Sequence, residues 1–221
     1  MHDSVSNLIR IQKEIQLKIT ELKKIKTFPE IIAVTKTFPM EKIIPLINYG
    51  HLNFGENKVQ EATNKWTDIK QDFHHIKLHM IGKLQTNKVK YAIPLFDYIH
   101  TLDNYKLADM ISKEQTKKKK KLKIFIQVNI GKEDQKNGIL PDQLENFYKE
   151  CKTNLDLNII GLMCLPPNEE NPSKYFSQLN DLSKDLNLKD LSMGMSQDYI
   201  SAIRSDSTYV RIGSKILGSR D

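Results

Sequence analysis

Short β-branched, apolar runs alternate along the chain with polar stretches that carry helix signals. The runs are Ile31–Lys36, Leu52–Gly55, Leu78–Gly82, Tyr98–Leu102, Lys123–Ile130, Asn158–Leu165, Leu191–Met195 and Tyr209–Ile212. Runs of this length predict strands buried on both faces, the state of a parallel sheet covered by helices. Between them, Val59, Ala62 and Trp66 mark one face of a helix within Glu56–Asp68, and Pro39 can occupy a first helical turn. Asp103 and Asn104 form an N-cap pair before Tyr105–Ser112, and Pro141 with Asp142 opens Gln143–Cys151. Pro172 and Ser173 open Lys174–Leu186, which carries an apolar stripe, and Ser196 is placed to cap Gln197–Arg204. Ahead of the first strand, residues 4–26 carry Val5, Leu8, Ile15, Ile19 and Leu22 at amphipathic spacing.

Strand–helix alternation within one chain predicts parallel β/α units joined by right-handed crossovers. Eight such units in 221 residues predict an α/β fold, a single (β/α)8 TIM barrel. Residues 1–28 then form an extra N-terminal helix packed on that barrel, within one domain spanning 1–221. A doubly wound open sheet is the alternative, and no GxGxxG follows the first strand to favour it. The segments Lys117–Lys121 and Pro166–Pro172 are expected to be loops.

Composition narrows the function classes. No apolar run approaches the roughly 20 residues of a membrane span, and the N-terminus lacks the pattern of a secretory signal. Cys151 and Cys164, without CxxC spacing, fit a reducing, cytoplasmic setting and small core side chains. The net charge of +7 and the Lys117–Lys121 run raise nucleic acid as a partner. Acidic residues are scattered throughout and no basic stripe is interleaved with aromatics, so neither nucleic acid nor membrane is expected, only a mild attraction for anionic small molecules.

Chemistry is expected at the C-terminal ends of the strands. A period of two places Ile32, Val34 and Lys36 on one face of the first strand. A partly desolvated Lys is the side chain that condenses with an aldehyde to a Schiff base; the alternative is a Lys just past the apolar run that reaches water. The seventh and eighth strands end in Leu191–Ser196 and Tyr209–Ser214, where Ser196, Gly213 and Ser214 combine small residues, hydroxyls and helix starts. Such ends bind phosphate, although each residue taken alone is an ordinary turn former. Arg211 lies inside the apolar run of strand eight, where a charge either holds a ligand or pairs internally with an acid such as Glu56. A Schiff-base Lys, a phosphate cup and a buried Arg together describe pyridoxal 5′-phosphate (PLP), whose sites pair such a Lys with an Asp or Arg at the pyridine nitrogen.

The chain also resembles the pyridoxal phosphate homeostasis proteins, whose barrel is similar to the N-terminal domain of alanine racemase. The resemblance rests on Val34–Lys36, on Phe54–Asn57 with Val59–Glu61, and on His79–Lys88. It continues through Lys136–Ile139, Gly161–Met163, Leu191–Ser196, and Val210–Ser214 with Gly218–Asp221. It implies a fold-type III PLP-binding barrel with the cofactor on Lys36, the phosphate at Ser196, Gly213 and Ser214, Arg211 at the ring nitrogen, and Asn57 near the cofactor. His79, Gln85 and Lys88 belong to these motifs without an assigned role.

A racemase needs bases on both faces of the cofactor. Alanine racemases supply one from a second, β-rich domain, and this sequence ends after strand eight. Arg211 would leave the pyridine nitrogen unprotonated and the ring a weaker electron sink. The expectation is therefore a PLP carrier in vitamin B6 homeostasis without turnover, with apo PLP-enzymes as recipients and a monomeric state. A slow amino-acid racemase is the alternative, and a barrel aldolase using Lys36 on a sugar phosphate ranks behind it.

Overall fold

In a computed structural model of the chain, which describes residues 2–23, 27–133, 135–167 and 171–219, the strands close into a barrel. These are β1 (Glu30–Val34), β2 (Asn53–Glu56), β3 (Lys77–Met80), β4 (Tyr98–Leu102), β5 (Lys123–Val128), β6 (Ile159–Cys164), β7 (Asp190–Met195) and β8 (Tyr209–Ile212). Each pairs in parallel with its sequence neighbours, and β8 returns to β1 with Ile32 opposite Arg211. Residues 24–26 of the expected N-terminal helix, 168–170 of the Pro166–Pro172 loop, and Arg220 and Asp221 lie outside the described residues.

The helices are α1 (Asp3–Glu21), α2 (Met40–Asn48), α3 (Val59–Trp66), α4 (Ile69–Asp72), α5 (Val89–Leu95), α6 (Tyr105–Lys118), α7 (Leu144–Thr153), α8 (Pro172–Asp185), α9 (Tyr199–Arg204) and α10 (Ser214–Leu217). Asn104 caps α6 by accepting from the Leu107 N–H at 2.9 Å, and Pro172 occupies the first position of α8 behind an Asn171 cap. Helix α1 buries Val5, Leu8, Ile11, Ile15 and Ile19 and packs on α2, α9 and α10. Asn7 ties it to α10 by donating to the Ile216 carbonyl at 3.1 Å.

Period-two alternation sorts the strand side chains into two cores. Ile32, Tyr98, Phe125, Met163 and Tyr209 fill the barrel, while Ile31, Ala33, Phe54, Leu78 and Val210 face the helix layer with Trp66 and Phe176. Several expected boundaries shift. Strand β1 stops at Val34, not Lys36, and Ser196 lies in a turn ahead of α9 instead of capping it. Pro39 is the N-cap of α2, outside its first turn. The Lys117–Lys121 run is only partly a loop, because Lys117 and Lys118 finish α6 and favour its negative C-terminal end. Lys120 donates to the Pro94 carbonyl at 2.9 Å, and Lys121 reaches both oxygens of Asp156 at 2.8 Å.

Candidate functional site

A cavity of ≈ 810 Å³ opens at the C-terminal mouth of the barrel. Lys36, Asn57, Ser196, Arg211, Gly213 and Ser214 all line it, together with Val34, Asp198 and a rim of Leu165, Pro166 and Pro167. Its size falls within the roughly 300–1,000 Å³ typical of small-molecule sites. A second cavity, ≈ 830 Å³, lies in the helix layer and is lined by Lys70, Lys90, Asp97, Glu114 and Lys117 among others. There Lys70 is paired with Asp97 at 2.5 Å, and none of the six residues is present.

Lys36 is half-buried in the turn that follows β1. Both of its neighbours are fixed. Thr35 donates its hydroxyl to Glu56 Oε1 at 2.7 Å, while its carbonyl accepts from Lys65 Nζ at 2.8 Å. The next residue, Thr37, has φ 67°, a left-handed conformation uncommon outside Gly, and its N–H donates to Glu61 Oε1 at 2.5 Å. Burial of Glu61 raises its pKa, but the hydrogen bonds from Lys65 and Thr37 outweigh that and leave it lowered. Lys65 closes the group by pairing with Glu56 at 2.9 Å and Glu61 at 2.8 Å. Glu56 also accepts from the Trp66 indole at 3.0 Å, so it faces α3, outside the barrel. The alternative pairing of Arg211 with Glu56 is thereby corrected: strand parity sends the two side chains to opposite sides of the sheet.

Asn57 comes to the mouth because Gly82 lets the β2–α3 and β3–α5 connections touch. A Cβ on Gly82 would stand 2.3 Å from the Asn57 carbonyl oxygen. On the far side, Gly194 has φ 92°, and a Cβ there would lie 2.6 Å from Ala202 Cβ. That close approach of β7 to α9 sets the turn carrying Ser196, which is pinned when Met195 N–H donates to Asp198 Oδ1 at 2.6 Å. Gly213 and Ser214 lead into α10, whose first backbone N–H groups have no partners within the helix.

Arg211 is 4% exposed and points into the barrel beneath the cleft. Its Nη1 donates to Ser192 Oγ at 2.6 Å and its Nη2 to the Cys164 carbonyl at 3.0 Å. No carboxylate among the described residues forms a salt bridge with it. Burial lowers its pKa, a shift opposed by the neighbouring Cys164 and by Asp198. A buried guanidinium with a face on an open cleft and no carboxylate partner among the described residues can donate to a ligand acceptor.

Below Arg211 lies a polar group that inspection of the sequence missed. Ser192, His100 and His79 are fully buried and joined in series. The signal was parity: His100 shares its face with Tyr98, and Ser192 lies between Leu191 and Met193, which face the helix layer. His79 therefore belongs to the barrel interior, whereas Gln85 is exposed and Lys88 is the N-cap of α5; neither lines the cleft.

The fold and mouth define a barrel of the alanine racemase N-terminal class, and the family model of that description, "Alanine racemase, N-terminal domain", matches residues 12–221. The chain belongs to the pyridoxal phosphate homeostasis protein family. The protein of that name from Pasteurella multocida is 37% identical over 97% of this chain and 97% of its own length. The mouse protein of the same name is 35% identical over 96% of this chain and 84% of its own. PipY of Synechococcus elongatus, solved with PLP bound, superposes with a TM-score of 0.80 at 28% identity, covering 92% of this chain and 100% of PipY.

Proposed function

We propose that this chain binds PLP as a Schiff base on Lys36 and serves to hold and supply the vitamer, with no catalytic turnover of its own. The observation that carries the reading is the convergence of Lys36, Asn57, Ser196, Arg211, Gly213 and Ser214, from four separate strand ends, on one cavity of suitable volume. The group fits the residues present. A half-buried amine stands at one wall, hydroxyls and a helix start at another, and a buried guanidinium without a carboxylate partner among the described residues lies below.

PLP supplies an aldehyde for the amine and a ring that draws electrons from whatever is bound to it. The protein's own residues set how far that goes. Arg211 donates hydrogen bonds and does not readily surrender a proton, so it leaves an acceptor nitrogen opposite it unprotonated. Ser196, Gly213 and Ser214 orient the phosphate, and the clamp of Glu56, Lys65 and Glu61 fixes the backbone on either side of Lys36. An arrangement that binds firmly but weakens the electron sink suits storage better than carbanion chemistry. Relatives carrying a homeostasis name, and not a reaction, support the same view.

Titration of the purified protein with PLP, followed by absorbance, tests this. The wild type should develop the band of a bound Schiff base, and borohydride followed by mass spectrometry should place the adduct on Lys36. Lys36→Ala should show only free PLP. An equal band in that variant would refute the assignment.

A further inference from the structure

Two histidines in the middle of a barrel need an explanation, because burying polar rings costs free energy unless every polar atom finds a partner. Here the partners form a single file. Arg211 Nη1 lies 2.6 Å from Ser192 Oγ, Ser192 Oγ 2.8 Å from His100 Nδ1, and His100 Nε2 3.0 Å from His79 Nδ1. His79 Nε2 lies 3.0 Å from Asn53 Oδ1, and Asn53 Nδ2 lies 2.7 Å from Glu30 Oε2.

The ends dictate the direction. A carboxylate only accepts, so the Asn53 atom beside Glu30 is the amide nitrogen and its oxygen faces His79. That oxygen accepts, so His79 carries its proton on Nε2. A guanidinium only donates, so Ser192 accepts from Arg211 and has its own proton to give to His100 Nδ1. His100 is then protonated on Nε2 and donates to the bare Nδ1 of His79. Burial holds both imidazoles neutral, with pKa values well below the ordinary 6.5. Flat contacts fix the rings: His79 stacks on Tyr98 at 4.1 Å and His100 on Phe125 at 4.4 Å between centroids.

We infer that Ser192 and His100 are positioning residues that aim the Arg211 guanidinium at the cleft, as the near end of a hydrogen-bond chain whose donors all point one way, from Arg211 to the Glu30 carboxylate at the start of β1. The chain is a strut and not a proton path, since the Asn53 amide and the guanidinium block transfer at both ends. Its link to the ligand rests on the reading in which Arg211 faces the PLP ring nitrogen.

Two measurements test it. In ligand-free, ¹⁵N-labelled protein, long-range proton–nitrogen correlation should show both rings as the Nε2–H tautomer, without titration across the neutral to mildly acidic range. An Nδ1–H tautomer, or a doubly protonated ring, overturns the chain whether or not PLP binds. In PLP titrations, Ser192→Ala should weaken binding on the order of tenfold, because it orphans a buried charged donor, and should move the pH midpoint of the bound band. Ser192→Thr, which keeps the hydroxyl, should restore both. Wild-type affinity and midpoint in Ser192→Ala would overturn the positioning role. A wild type that takes up no PLP would instead overturn the cofactor reading, leaving the nitrogen spectra to decide the chain.

Discussion

The ammonium of Lys65 lies 2.8 Å from the backbone carbonyl of Thr35, the residue that precedes Lys36. A third-helix side chain thus holds the end of the first strand, and it does so while neutralising Glu56, whose carboxylate is fully buried. Removing one member of a buried pair strands the other. Lys65→Met should destabilise the protein by about 3 kcal/mol, the lower part of the range for such breaks because the Lys65 side chain remains 13% exposed. The Lys65→Met/Glu56→Gln double variant should recover part of that loss. The single tryptophan, Trp66, donates to the same carboxylate and reports on it directly. Denaturant melts followed by its emission check the prediction; a midpoint unchanged in Lys65→Met would contradict it.

Parity and punctuation made much of this legible in the sequence. Apolar runs located the eight strands to within a few residues, and Ser196, Gly213 and Ser214 followed from where two of those runs ended. The second layer was hidden because it depends on which strands face each other across the barrel. Ser192 and His100 are separated by 92 positions, and nothing in a linear reading pairs them. Lys65 was hidden for another reason: on a polar helix surface a Lys signals solvent, and only the turn of α3 toward β1 gives it buried partners. The strand end at Val34 was misjudged because Lys36 continues the alternation in sequence while the chain already turns at Thr37.

Stability should fall on mild acidification. Burial lowers the pKa of His51 from 6.5 to about 4 and holds His79 and His100 well below 6.5. Below pH 6.5 the unfolded chain takes up protons that the folded protein refuses. The stabilisation is therefore complete above that pH and is lost as the pH drops toward the folded values. Each histidine contributes a slope of about 1.4 kcal/mol per pH unit. Asp103 and Asp190, raised by burial from 3.8, act in the opposite sense at lower pH. Urea melts between pH 7.5 and 5 isolate the histidine effect, and a flat profile there would mean that the rings are not neutral.

Both thiols should be silent in the folded protein. Burial pushes Cys151 and Cys164 up to about 12, so neither forms the thiolate that reacts. Ellman's reagent at mildly alkaline pH should detect no fast-reacting thiol until denaturant is added. A rapid native reaction would show that one of these cysteines is more open than its burial implies.

Gly194 is where backbone strain and site geometry meet. Its φ of 92° disfavours any side chain, and a Cβ would also stand 2.6 Å from Ala202 Cβ and 2.9 Å from Tyr199 Cα. Gly218 has a similar φ of 91° with nothing within 4 Å of a Cβ. The two alanine substitutions therefore separate conformation from packing. Gly218→Ala, at φ 91° and ψ −176°, should cost only the penalty of a backbone region open essentially to Gly, about 1–3 kcal/mol. Gly194→Ala should add overpacking, for a total of about 2–5 kcal/mol. Relief by displacement of α9 would move the turn from Met195 to Asp198, and Ser196 with it, so PLP affinity should fall in the Gly194 variant and hold in the Gly218 variant. Equal thermal shifts in the two variants would mean that α9 yields freely. Full PLP affinity in a destabilised Gly194→Ala would mean that the phosphate is not oriented through this turn.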